Sequence, residues 1–476
     1  MATKHYDVIV IGAGAGLPKL GSPASRLGLK VALLEKGRLG GTCLNRGCIP
    51  SKMLIHPADV ALNIDEAHRF EVNPQGGYTV DFTALIDRVS KTIDEDSFSI
   101  NPRIEANEML DWYKEPAKFV DKKTLKVGDQ IITGDKIFIA AGSRPTIPKI
   151  KGLDGIPYMT STEALRHNQQ PKKLIVIGAG YIACELAHFY ASLGTEVFIF
   201  VRSTPLRHVD EEVRDEFLRV FKDRKNINLL LKCSPEEIKY EDKVYTATYV
   251  DYETKETKTL QSDALLVAVG VVPNTDLLEV EKSGIEIKEG NFIKVDDHLR
   301  TNVPGVWALG DIAGNYLFRH SANYEGEYLL ETILYKGEDY PIDYTGMPWA
   351  VFTNPQIAGV GYNEEELKKK EIKYVKGVNP YSSSAMGMAL RSDHGFVKIL
   401  VERYTRKLLG CIIVGHEAST LIHEVIPLFR LHGTLDDILK MIHIHPALSE
   451  LVRNAARKAR DELMKVEEVP LSIRFK

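Results

Sequence analysis

The sequence of 476 residues predicts an α/β protein with two similar doubly wound domains and a smaller α+β block at the C-terminal end. A buried strand that runs into a glycine turn and then into helical spacing occurs twice, beginning at Tyr6 and at Lys173. No such pattern follows after about residue 347. The chain is also too long for one ordinary domain, so roughly three domains are expected.

Composition and charge are those of a globular protein rather than of a nucleic-acid or membrane protein. The net charge of −4 gives no reason to expect nucleic acid or an anionic membrane as a partner. No run approaches the roughly 20 apolar residues that span a bilayer, and the apolar start is too short for a signal peptide. Five cysteines are too few, and odd in number, for a secreted disulfide framework. We therefore expect a cytoplasmic enzyme in which a close cysteine pair is catalytic or metal-binding.

Apolar and alternating runs predict the remaining strands and one hairpin. Two of these runs, 136–141 and 263–269, each stop at a glycine, Gly142 and Gly270, before a proline-containing loop. Residues 245–259 alternate polar and β-branched side chains, which is typical of an antiparallel hairpin. Further strands are expected at residues 31–35, 197–201, 396–401 and 408–414, with helical sequence from there to about residue 465.

The second glycine turn fits a dinucleotide-binding fingerprint. Gly178, Gly180 and Ala183 match G-x-G-x-x-G/A directly after a strand, so the backbone is able to approach a pyrophosphate at the helix N-terminus. An NAD site would place an acid at the end of the next strand, but this strand ends at Arg202, with Arg207 close behind. Guanidinium groups suit a 2′-phosphate, so NADP is expected, with NAD as the alternative.

The first glycine turn keeps part of the same fingerprint. Gly12 and Gly14 are in place, and Glu35 ends the next strand, where a ribose-binding acid belongs. Leu17 replaces the third glycine, and two prolines fall where a helix should run. Pro18 lies in the first turn, which tolerates proline. Pro23 lies further along and is expected to break or kink the helix. The pattern predicts a nucleotide-binding turn with a disturbed helix behind it.

The stretch from Gly40 to Lys52 holds two cysteines, Cys43 and Cys48, with four residues between them. That spacing differs from a C-x₂-C zinc knuckle, and no second cysteine or histidine pair in the sequence completes a metal site. Five residues along a turn–helix junction bring two sulfurs within bonding distance. A helix that starts near Cys43 would lower thiol pKa values, and Lys52 adds a positive charge one turn on. These features favour thiol–disulfide exchange.

The sequence of residues 43–52, Cys-Leu-Asn-Arg-Gly-Cys-Ile-Pro-Ser-Lys, strongly resembles the class I pyridine nucleotide–disulfide oxidoreductases. This family includes dihydrolipoyl dehydrogenase, glutathione reductase, mycothione reductase and mercuric reductase, and the resemblance extends over essentially the whole chain. It implies two Rossmann-like dinucleotide-binding domains, one for FAD and one for NAD(P), and a C-terminal α+β dimerisation domain. The implied boundaries are 1–150 and 276–346 for the two parts of the FAD domain, 151–275 for the NAD(P) domain and 347–476 for the dimerisation domain.

The resemblance also implies which residues hold the cofactors. Gly12, Gly14 and Glu35 would hold the ADP half of FAD, and Asp311, which follows Gly310, would bind the ribityl chain. The further cofactor contacts expected from the resemblance and from the two glycine turns are Lys36, Thr42, Lys52, Ala141, Gly142, Gly178, Gly180, Tyr181, Glu185, Arg202, Arg207 and Gly270.

The two cysteines receive different roles from the resemblance. Cys48 would face the flavin as the charge-transfer thiolate, and Cys43 would exchange with the substrate. Lys52 would lie near flavin N5 and pair with Glu185, and Tyr181 would cover the nicotinamide pocket until the nucleotide enters. The remaining cysteines lie in apolar sequence and are expected to be buried and inert: Cys184, Cys233 and Cys411.

The C-terminal block contributes an acid/base pair by the same resemblance. His445-Pro446 and Glu450 resemble the H-P-x-x-x-E signature of the family, with His445 protonating the departing thiolate and Glu450 orienting its imidazole. His443 fits neither role and is expected to be structural. In this family the histidine reaches the cysteines of the other subunit, so a homodimer is implied.

The predicted function is the passage of electrons from NADPH through FAD and the Cys43–Cys48 disulfide to a low-molecular-weight disulfide. The main alternative is a dihydrolipoyl dehydrogenase that oxidises dihydrolipoamide with NAD⁺. A flavin reductase with a non-disulfide acceptor and a non-catalytic flavoprotein are the two remaining hypotheses.

The sequence departs from the family pattern at two further places. Val271 stands where relatives usually carry arginine. Residues 471–476 lack the vicinal cysteines of mercuric reductase, which argues against mercury as the substrate.

Overall fold

The first apolar run forms the central strand of a parallel sheet in the computed structural model, which describes residues 3–474. The strands of this part are β1 (Lys4–Ile11), β2 (Val31–Leu34), β3 (Leu110–Tyr113), β4 (Ala117–Asp121), β5 (Thr124–Val127), β6 (Gln130–Ile139) and β7 (Ser143–Pro145). The helices are α1 (Ser22–Arg26), α2 (Gly41–Arg46), α3 (Cys48–Asp65), α4 (Phe82–Phe98) and α5 (Asn101–Glu105). The sheet order is β3-β2-β1-β6-β5-β4; the β4–β5 and β5–β6 pairs are antiparallel and the other pairs are parallel.

The second βαβ unit builds a separate four-stranded parallel sheet in the order β10-β9-β8-β14. The strands of this part are β8 (Lys173–Ile177), β9 (Glu196–Val201), β10 (Ile227–Leu231), β11 (Pro235–Glu241), β12 (Val244–Val250), β13 (Thr257–Ser262), β14 (Ala264–Val267) and β15 (Val271–Pro273). The helices are α6 (Ser161–Ala164), α7 (Tyr181–Ser192) and α8 (Glu211–Phe221). The predicted hairpin is β12 and β13, which β11 extends to three antiparallel strands.

The chain then returns to the first sheet. Strand β16 (Val306–Ala308) pairs in parallel with β6, and helix α9 (Arg319–Leu329) follows it. A sequence-remote segment therefore completes the first nucleotide-type domain, as the split of that domain into two parts requires. The exact boundaries predicted at residues 150, 275 and 346 stay a prediction.

The C-terminal block is an antiparallel sheet of five strands in the order β17-β18-β21-β20-β19. The strands are β17 (Pro348–Val351), β18 (Gln356–Gly361), β19 (Tyr374–Pro380), β20 (Phe396–Glu402) and β21 (Leu408–Gly415). The helices are α10 (Glu364–Lys369), α11 (Ala385–Ala389), α12 (Ala418–Leu421), α13 (Ile426–Arg430), α14 (Leu435–Lys440), α15 (Glu450–Met464) and α16 (Leu471–Arg474). Short 3₁₀ turns lie at Ala67–Phe70, Val280–Ser283, Glu289–Asn291, Gly310–Ile312, Tyr381–Ser383 and Ile422–Glu424.

The helix behind the first glycine turn is disturbed, as the sequence predicts, but it is not broken at Pro23. A π-helical turn, Leu17–Gly21, runs directly into α1, and the Ser22 amide donates to the carbonyl of Leu17. Because Pro23 lies at the start of the α-helical part, its missing N–H falls where the two helical geometries meet. Leu17 is buried against the sheet, so the helix packs despite its unusual sequence.

A hydrophobic core joins the two nucleotide-type domains. Helices α3 and α4 of the first part pack with α7 of the second, and the aromatic rings of Phe82, Phe189 and Tyr190 contact one another there. No helix in the described residues is long and apolar enough to cross a membrane. The core fixes α3 against α7, and these two helices begin at the candidate site.

Candidate active site

The carboxyl ends of parallel strands gather the residues predicted for the first dinucleotide. The turn at Gly12 follows β1, Glu35 follows β2 and Gly142 follows β6. The Leu309 amide donates to the carbonyl of Ile139 over 3.0 Å, which brings the end of β16 to the same edge. Since parallel strands all end at one edge of a sheet, residues far apart in sequence converge on one crevice. The predicted contacts brought to this crevice are Gly12, Gly14, Glu35, Lys36, Ala141, Gly142, Gly310 and Asp311.

The polar groups of this crevice fit a flavin dinucleotide. The Glu35 carboxylate accepts hydrogen bonds from the amides of Ala13 and Gly37, which fixes it beside the glycine turn. Asp311 accepts a hydrogen bond of 2.6 Å from Ser143, and burial raises the pKa of the Asp311 carboxyl. A largely buried acid with few donors around it suits the hydroxyl groups of a ribityl chain. The crevice therefore has the donors and acceptors that the predicted FAD contacts require.

Close packing of two glycines brings the cysteine segment to the same turn. A β-carbon on Gly41 would lie 2.5 Å from the Cα of Gly14, so only glycine allows the two backbones to approach so closely. Thr42 lies exposed on α2, one residue after Gly41. The cysteines are thereby carried to the edge of the dinucleotide crevice.

The two cysteines lie on different helices, which differs from the single helix start expected near Cys43. Cys43 is inside α2, Gly47 interrupts the helix, and Cys48 is the first residue of the 18-residue helix α3. The two thiols are free, and each shifts the pKa of the other. Interaction with the Cys43 thiol lowers the pKa of Cys48 to about 7; burial opposes this shift, and the charge of Lys52 adds to it. The same interaction raises the pKa of Cys43, as does burial.

Lys52 and Glu185 connect the cysteine helix to the second domain. Lys52 Nζ lies 2.7 Å from the Glu185 carboxylate and also sits over the ring of Phe352. The other Glu185 oxygen accepts the Phe352 amide over 2.9 Å. Tyr181, one turn before Glu185 on α7, contacts the ring of Trp349, and burial raises the pKa of Tyr181 to about 12. The predicted Lys52, Glu185 and Tyr181 thus lie together where three parts of the chain meet.

The second glycine turn is bound directly to the loop that carries the two arginines. The Gly178 amide donates to the carbonyl of Phe200, and the Leu206 amide donates to the carbonyl of Ala179. Arg202 and Arg207 are exposed beside this turn, and Gly180 caps helix α7. The one carboxylate of the loop, Asp210, faces away toward Lys398, 2.7 Å from its Nζ. The turn and the two arginines therefore lie together. Gly270 follows β14, which is the strand paired with β8.

His445 and Glu450 form a hydrogen-bonded pair on the C-terminal block, at the start of α15. His445 Nδ1 lies 3.0 Å from the Glu450 carboxylate, and the His445 side chain is 71% exposed. Burial by itself would raise the pKa of Glu450, but hydrogen bonds from His445, the Ala447 amide and Arg453 lower it. No histidine within residues 3–474 hydrogen-bonds to either thiol of the cysteine pair. His443 is buried and paired with Glu424, which agrees with a structural role.

Two residues of the site were not predicted from the sequence. Arg319 begins helix α9, and its positive charge acts on both cysteines. Glu325, fully buried on the same helix, accepts hydrogen bonds from the Gly310 amide and from Tyr344. Glu325 therefore fixes the turn that presents Asp311. The sequence carried only a weak signal for either, namely two charges on a helix beside the Gly310 turn.

The other three cysteines are buried in the structure. Burial raises the pKa of the Cys184 thiol to about 12 and that of Cys233 to about 11, and it raises the pKa of Cys411 as well. Thiols held in the protonated form and away from solvent are poor nucleophiles. Cys43 and Cys48 are therefore the candidates for a redox-active pair among the five cysteines.

Comparison with known proteins gives matches along almost the entire chain. Residues 6–326 match the family described as "Pyridine nucleotide-disulphide oxidoreductase", and residues 347–456 match the dimerisation domain of that family. Dihydrolipoyl dehydrogenase of Bacillus subtilis is 34% identical over 460 residues, covering 95% of this chain and 96% of the relative. Mycothione reductase of Mycobacterium tuberculosis is 34% identical over 463 residues, covering 94% of this chain and 98% of the relative.

A solved structure shares the same overall arrangement. The Cu(II) complex of the HOCl-induced flavoprotein disulfide reductase RclA from Escherichia coli superposes with a TM-score of 0.84 at 26% identity. The match covers 96% of this chain and 99% of the other. The two-domain nucleotide-binding architecture with its C-terminal block is therefore shared with a flavoprotein disulfide reductase.

Proposed function

The chain belongs to the pyridine nucleotide–disulfide oxidoreductase family, and on that premise we propose that it is an NADPH-dependent reductase of a small disulfide. The family uses FAD together with NAD(P)H. In the proposed reaction, one NADPH and one proton convert a disulfide RSSR into two thiols RSH, and NADP⁺ is released. Bound FAD would relay the two electrons from the nicotinamide to the cysteine pair.

The observation that carries the proposal is the pair of arginines beside the second glycine turn. Arg202 directly follows β9, where an NAD site would place a carboxylate, and Arg207 lies in the same loop. The main chain of this loop is hydrogen-bonded to Ala179 of the turn, so the cations lie beside the turn on which a nucleotide would bind. A 2′-phosphate would satisfy both guanidinium groups. A preference for NADPH supports the reducing direction.

The cysteines and the histidine divide the proposed chemistry. In a homodimer, His445 of the partner subunit takes the proton of the Cys43 thiol, with its imidazole oriented by Glu450. The resulting Cys43 thiolate attacks one sulfur of RSSR, which forms a mixed disulfide and expels one RS⁻, and His445 of the partner subunit returns the proton to that leaving thiolate. The Cys48 thiolate then attacks the Cys43 sulfur, which releases the second RS⁻ and restores the Cys43–Cys48 disulfide. Two electrons from NADPH reopen that disulfide.

Coenzyme preference is the first test of the proposal. The holoenzyme should oxidise NADPH with a kcat/KM at least tenfold above that for NADH. Replacing Arg202 by Glu should reverse the preference, because a carboxylate repels the 2′-phosphate and accepts the ribose hydroxyl. Arg88→Gln, an exposed arginine on α4, serves as the matched control. A wild-type preference for NADH would overturn the proposed coenzyme.

The role of the cysteine pair is tested by substitution. Cys48→Ser should lower disulfide reduction by at least a thousandfold while the purified protein retains its flavin, because the resolving thiolate is lost. Cys233→Ala, a change at a buried inert thiol, should leave kcat nearly unchanged. If Cys48→Ser retains substantial turnover, the proposed mechanism is wrong.

A second candidate is supported by the relative from Bacillus subtilis. Dihydrolipoyl dehydrogenase activity would run the same residues in reverse, with NAD⁺ accepting electrons from dihydrolipoamide. Steady-state assays with dihydrolipoamide and NAD⁺, beside NADPH with several disulfides, separate the two candidates. Fast dihydrolipoamide oxidation together with slow disulfide reduction would favour this second function.

A further inference from the structure

A cavity of about 560 Å³ opens beside Cys43, and all of its lining residues belong to the first nucleotide-type domain. Its walls come from the first glycine turn, α1, the α2–α3 segment, α5 and the start of α9. Apolar side chains form much of the lining: Leu17, Pro18, Leu44, Ile49, Ile100 and Ile104. Two of these, Leu17 and Pro18, are the residues that depart from the dinucleotide fingerprint. The unusual start of the helix thus shapes a space next to the reactive sulfur.

The polar lining of this cavity is strongly cationic. Arg26 lies at the end of α1, Arg103 lies on α5, and Arg319 begins α9. The lining includes no aspartate or glutamate. None of the three guanidinium groups takes part in a hydrogen bond or an ion pair within residues 3–474. Three arginines around one thiol therefore lack counterions supplied by the described chain.

Several arginines elsewhere in the molecule have a carboxylate partner. Arg144 is paired with Asp276 at 2.7 Å, and Arg406 is paired with Asp436 at 2.7 Å. Guanidinium groups bind carboxylates and phosphates in a bidentate, charge-assisted manner. Cations that converge on a concave surface without internal partners also raise the local concentration of anions. The lining is therefore complementary to a negatively charged ligand.

We propose that this cavity receives the substrate disulfide and that the substrate is anionic, with carboxylate or phosphate groups bound by Arg26, Arg103 and Arg319. The inference rests on the proposed disulfide reductase function and narrows its substrate class. The apolar lining would hold the carbon chains next to the sulfurs, and the arginines would hold the charged ends. A neutral or cationic disulfide gains no such attraction.

The diphosphate of the flavin dinucleotide is the competing anion for these arginines. Ala13 and Gly14 of the first glycine turn lie at one end of the cavity, and Arg319 is close to Gly14. Arg26 and Arg103 are exposed side chains on α1 and α5, at positions outside the glycine turn. The outer pair is therefore assigned to the substrate, and its substitution distinguishes the two ligands.

Three disulfides of similar size and different charge test the proposal on the holoenzyme. The probes are 3,3′-dithiodipropionate with two carboxylates, neutral 2-hydroxyethyl disulfide and cationic cystamine. We expect kcat/KM to fall in that order, by about tenfold at each step at low ionic strength. The spread should narrow at high salt, since screening shortens the reach of exposed charges to about 10 Å at 0.1 M. Equal rates with the three probes, or the fastest turnover with cystamine, would overturn the inference.

Substitution of the outer arginines locates the effect. The double variant Arg26→Gln/Arg103→Gln should reduce the ratio of kcat/KM for dithiodipropionate to that for hydroxyethyl disulfide to within about twofold. Arg88→Gln should keep the wild-type ratio. Loss of flavin from the double variant, with an unchanged ratio, would assign these cations to the cofactor and contradict the proposal. Reduction of none of the three probes, with active oxidation of dihydrolipoamide, would instead contradict the proposed function itself.

Discussion

The two thiols of the cysteine pair have the same chemistry in isolation, and their positions make them different. Cys48 is the first residue of α3, where the amide groups of the helix favour a negative charge. The Cys43 thiol stabilises the Cys48 thiolate, and so does the charge of Lys52, one turn further along α3. These contacts favour the thiolate at Cys48 and the thiol at Cys43. In the reduced protein the negative charge therefore rests on the residue proposed to face the flavin.

The pH dependence of thiol reactivity follows from this arrangement. Because the pKa of Cys48 is lowered to about 7, its thiolate becomes populated as the pH rises through about 7, two pH units below an ordinary thiol at 9. Alkylation of Cys48 by iodoacetamide in the reduced protein, followed by mass spectrometry, should show its midpoint there. Lys52→Met should move the midpoint upward, because a stabilising charge is removed. Lys91→Met, on the exposed face of α4, should not move it. A midpoint near 9 in the wild type would contradict this account of the pair.

At the scale of the element, the first glycine turn makes different demands on its two glycines. Gly12 has a φ of +105°, and a β-carbon there would lie 2.3 Å from the carbonyl oxygen of Ala140. Gly14 has no positive φ, and a β-carbon would meet only Arg319, at 3.7 Å. The first glycine is therefore required by the fold, whereas the second keeps a surface open for the dinucleotide.

Alanine substitutions separate these two requirements. Gly12→Ala should lower the free energy of unfolding of the apoprotein by about 2 kcal/mol or more, measured by denaturant titration. Gly14→Ala should change it by less than about 1 kcal/mol and yet lower the flavin content of the purified protein. Gly28→Ala is the control for φ alone, since its φ is +78° and no atom lies within 4 Å of the added carbon. A Gly12 variant as stable as the Gly28 variant would show that the contact with Ala140 is unimportant.

Elements with a strong local signal could be predicted from the sequence, and those decided by tertiary contacts could not. The strands before both glycine turns and the hairpin after Tyr245 follow from apolar runs and alternation, which depend on neighbours in sequence. A disturbed helix behind the first turn could be predicted from its prolines, but its form could not, because helix propensities do not describe the π-helical turn that precedes Pro23.

The same division applies to the candidate site. The cysteine segment was identified from ten consecutive residues, whereas Arg26, Arg103 and Arg319 come together only when α1, α5 and α9 are folded around one cavity. Their spacing in the sequence, across nearly 300 positions, contains no information about that meeting. The sequence also does not show that these arginines lack carboxylate partners, because ion pairs form only between residues that the fold brings together.

At the scale of the whole molecule, a buried charge cluster joins the second domain to the C-terminal block. Lys398 on β20 is fully buried, 2.7 Å from Asp210 and 2.9 Å from Glu212, and it is also paired with Glu364. Asp210 caps helix α8, and Lys376 lies 3.0 Å from Glu364. Burial by itself lowers the pKa of Lys398, but hydrogen bonds to Asp210 and Glu364 outweigh it, so the lysine is charged.

Removal of this lysine should weaken the attachment of the C-terminal block. Lys398→Met leaves buried carboxylates without their cation, so we expect a loss of about 3 to 5 kcal/mol in the free energy of unfolding. Lys369→Met, an exposed lysine on α10, is the control. Denaturant titration of both variants measures the difference, and equal stabilities would show that the cluster contributes nothing.

Acid should erase the difference between these variants. Burial alone would raise the pKa of Glu364, but hydrogen bonds from Lys398, Tyr374 and Lys376 lower it to about 2. A carboxyl whose folded pKa is depressed stabilises the fold above its unfolded pKa of about 4.5, and this stability is lost as the pH falls toward 2. The thermal midpoints of the wild type and Lys398→Met should therefore converge between about pH 5 and pH 2. A gap that stays constant over this range would contradict the assignment.

His445 is expected to act on the cysteines of another subunit. His445 is largely exposed and oriented by Glu450, while no histidine of the described chain hydrogen-bonds to Cys43 or Cys48. The chain also contains the family's dimerisation domain. An acid/base group without a substrate in its own subunit, and thiols without an acid/base group in theirs, are complementary across a two-fold axis.

Mixed dimers test this complementarity directly. Homodimers of Cys43→Ser and of His445→Gln should each reduce disulfides at well under one hundredth of the wild-type rate. In a dimer with one subunit of each kind, the intact cysteines of one subunit face the intact histidine of the other, so one of the two sites is complete. Random reassortment makes half of the dimers mixed, and activity should recover to about a quarter of the wild-type value. If the histidine served its own subunit, each mixed dimer would contain two defective sites and the activity would remain at the level of the homodimers.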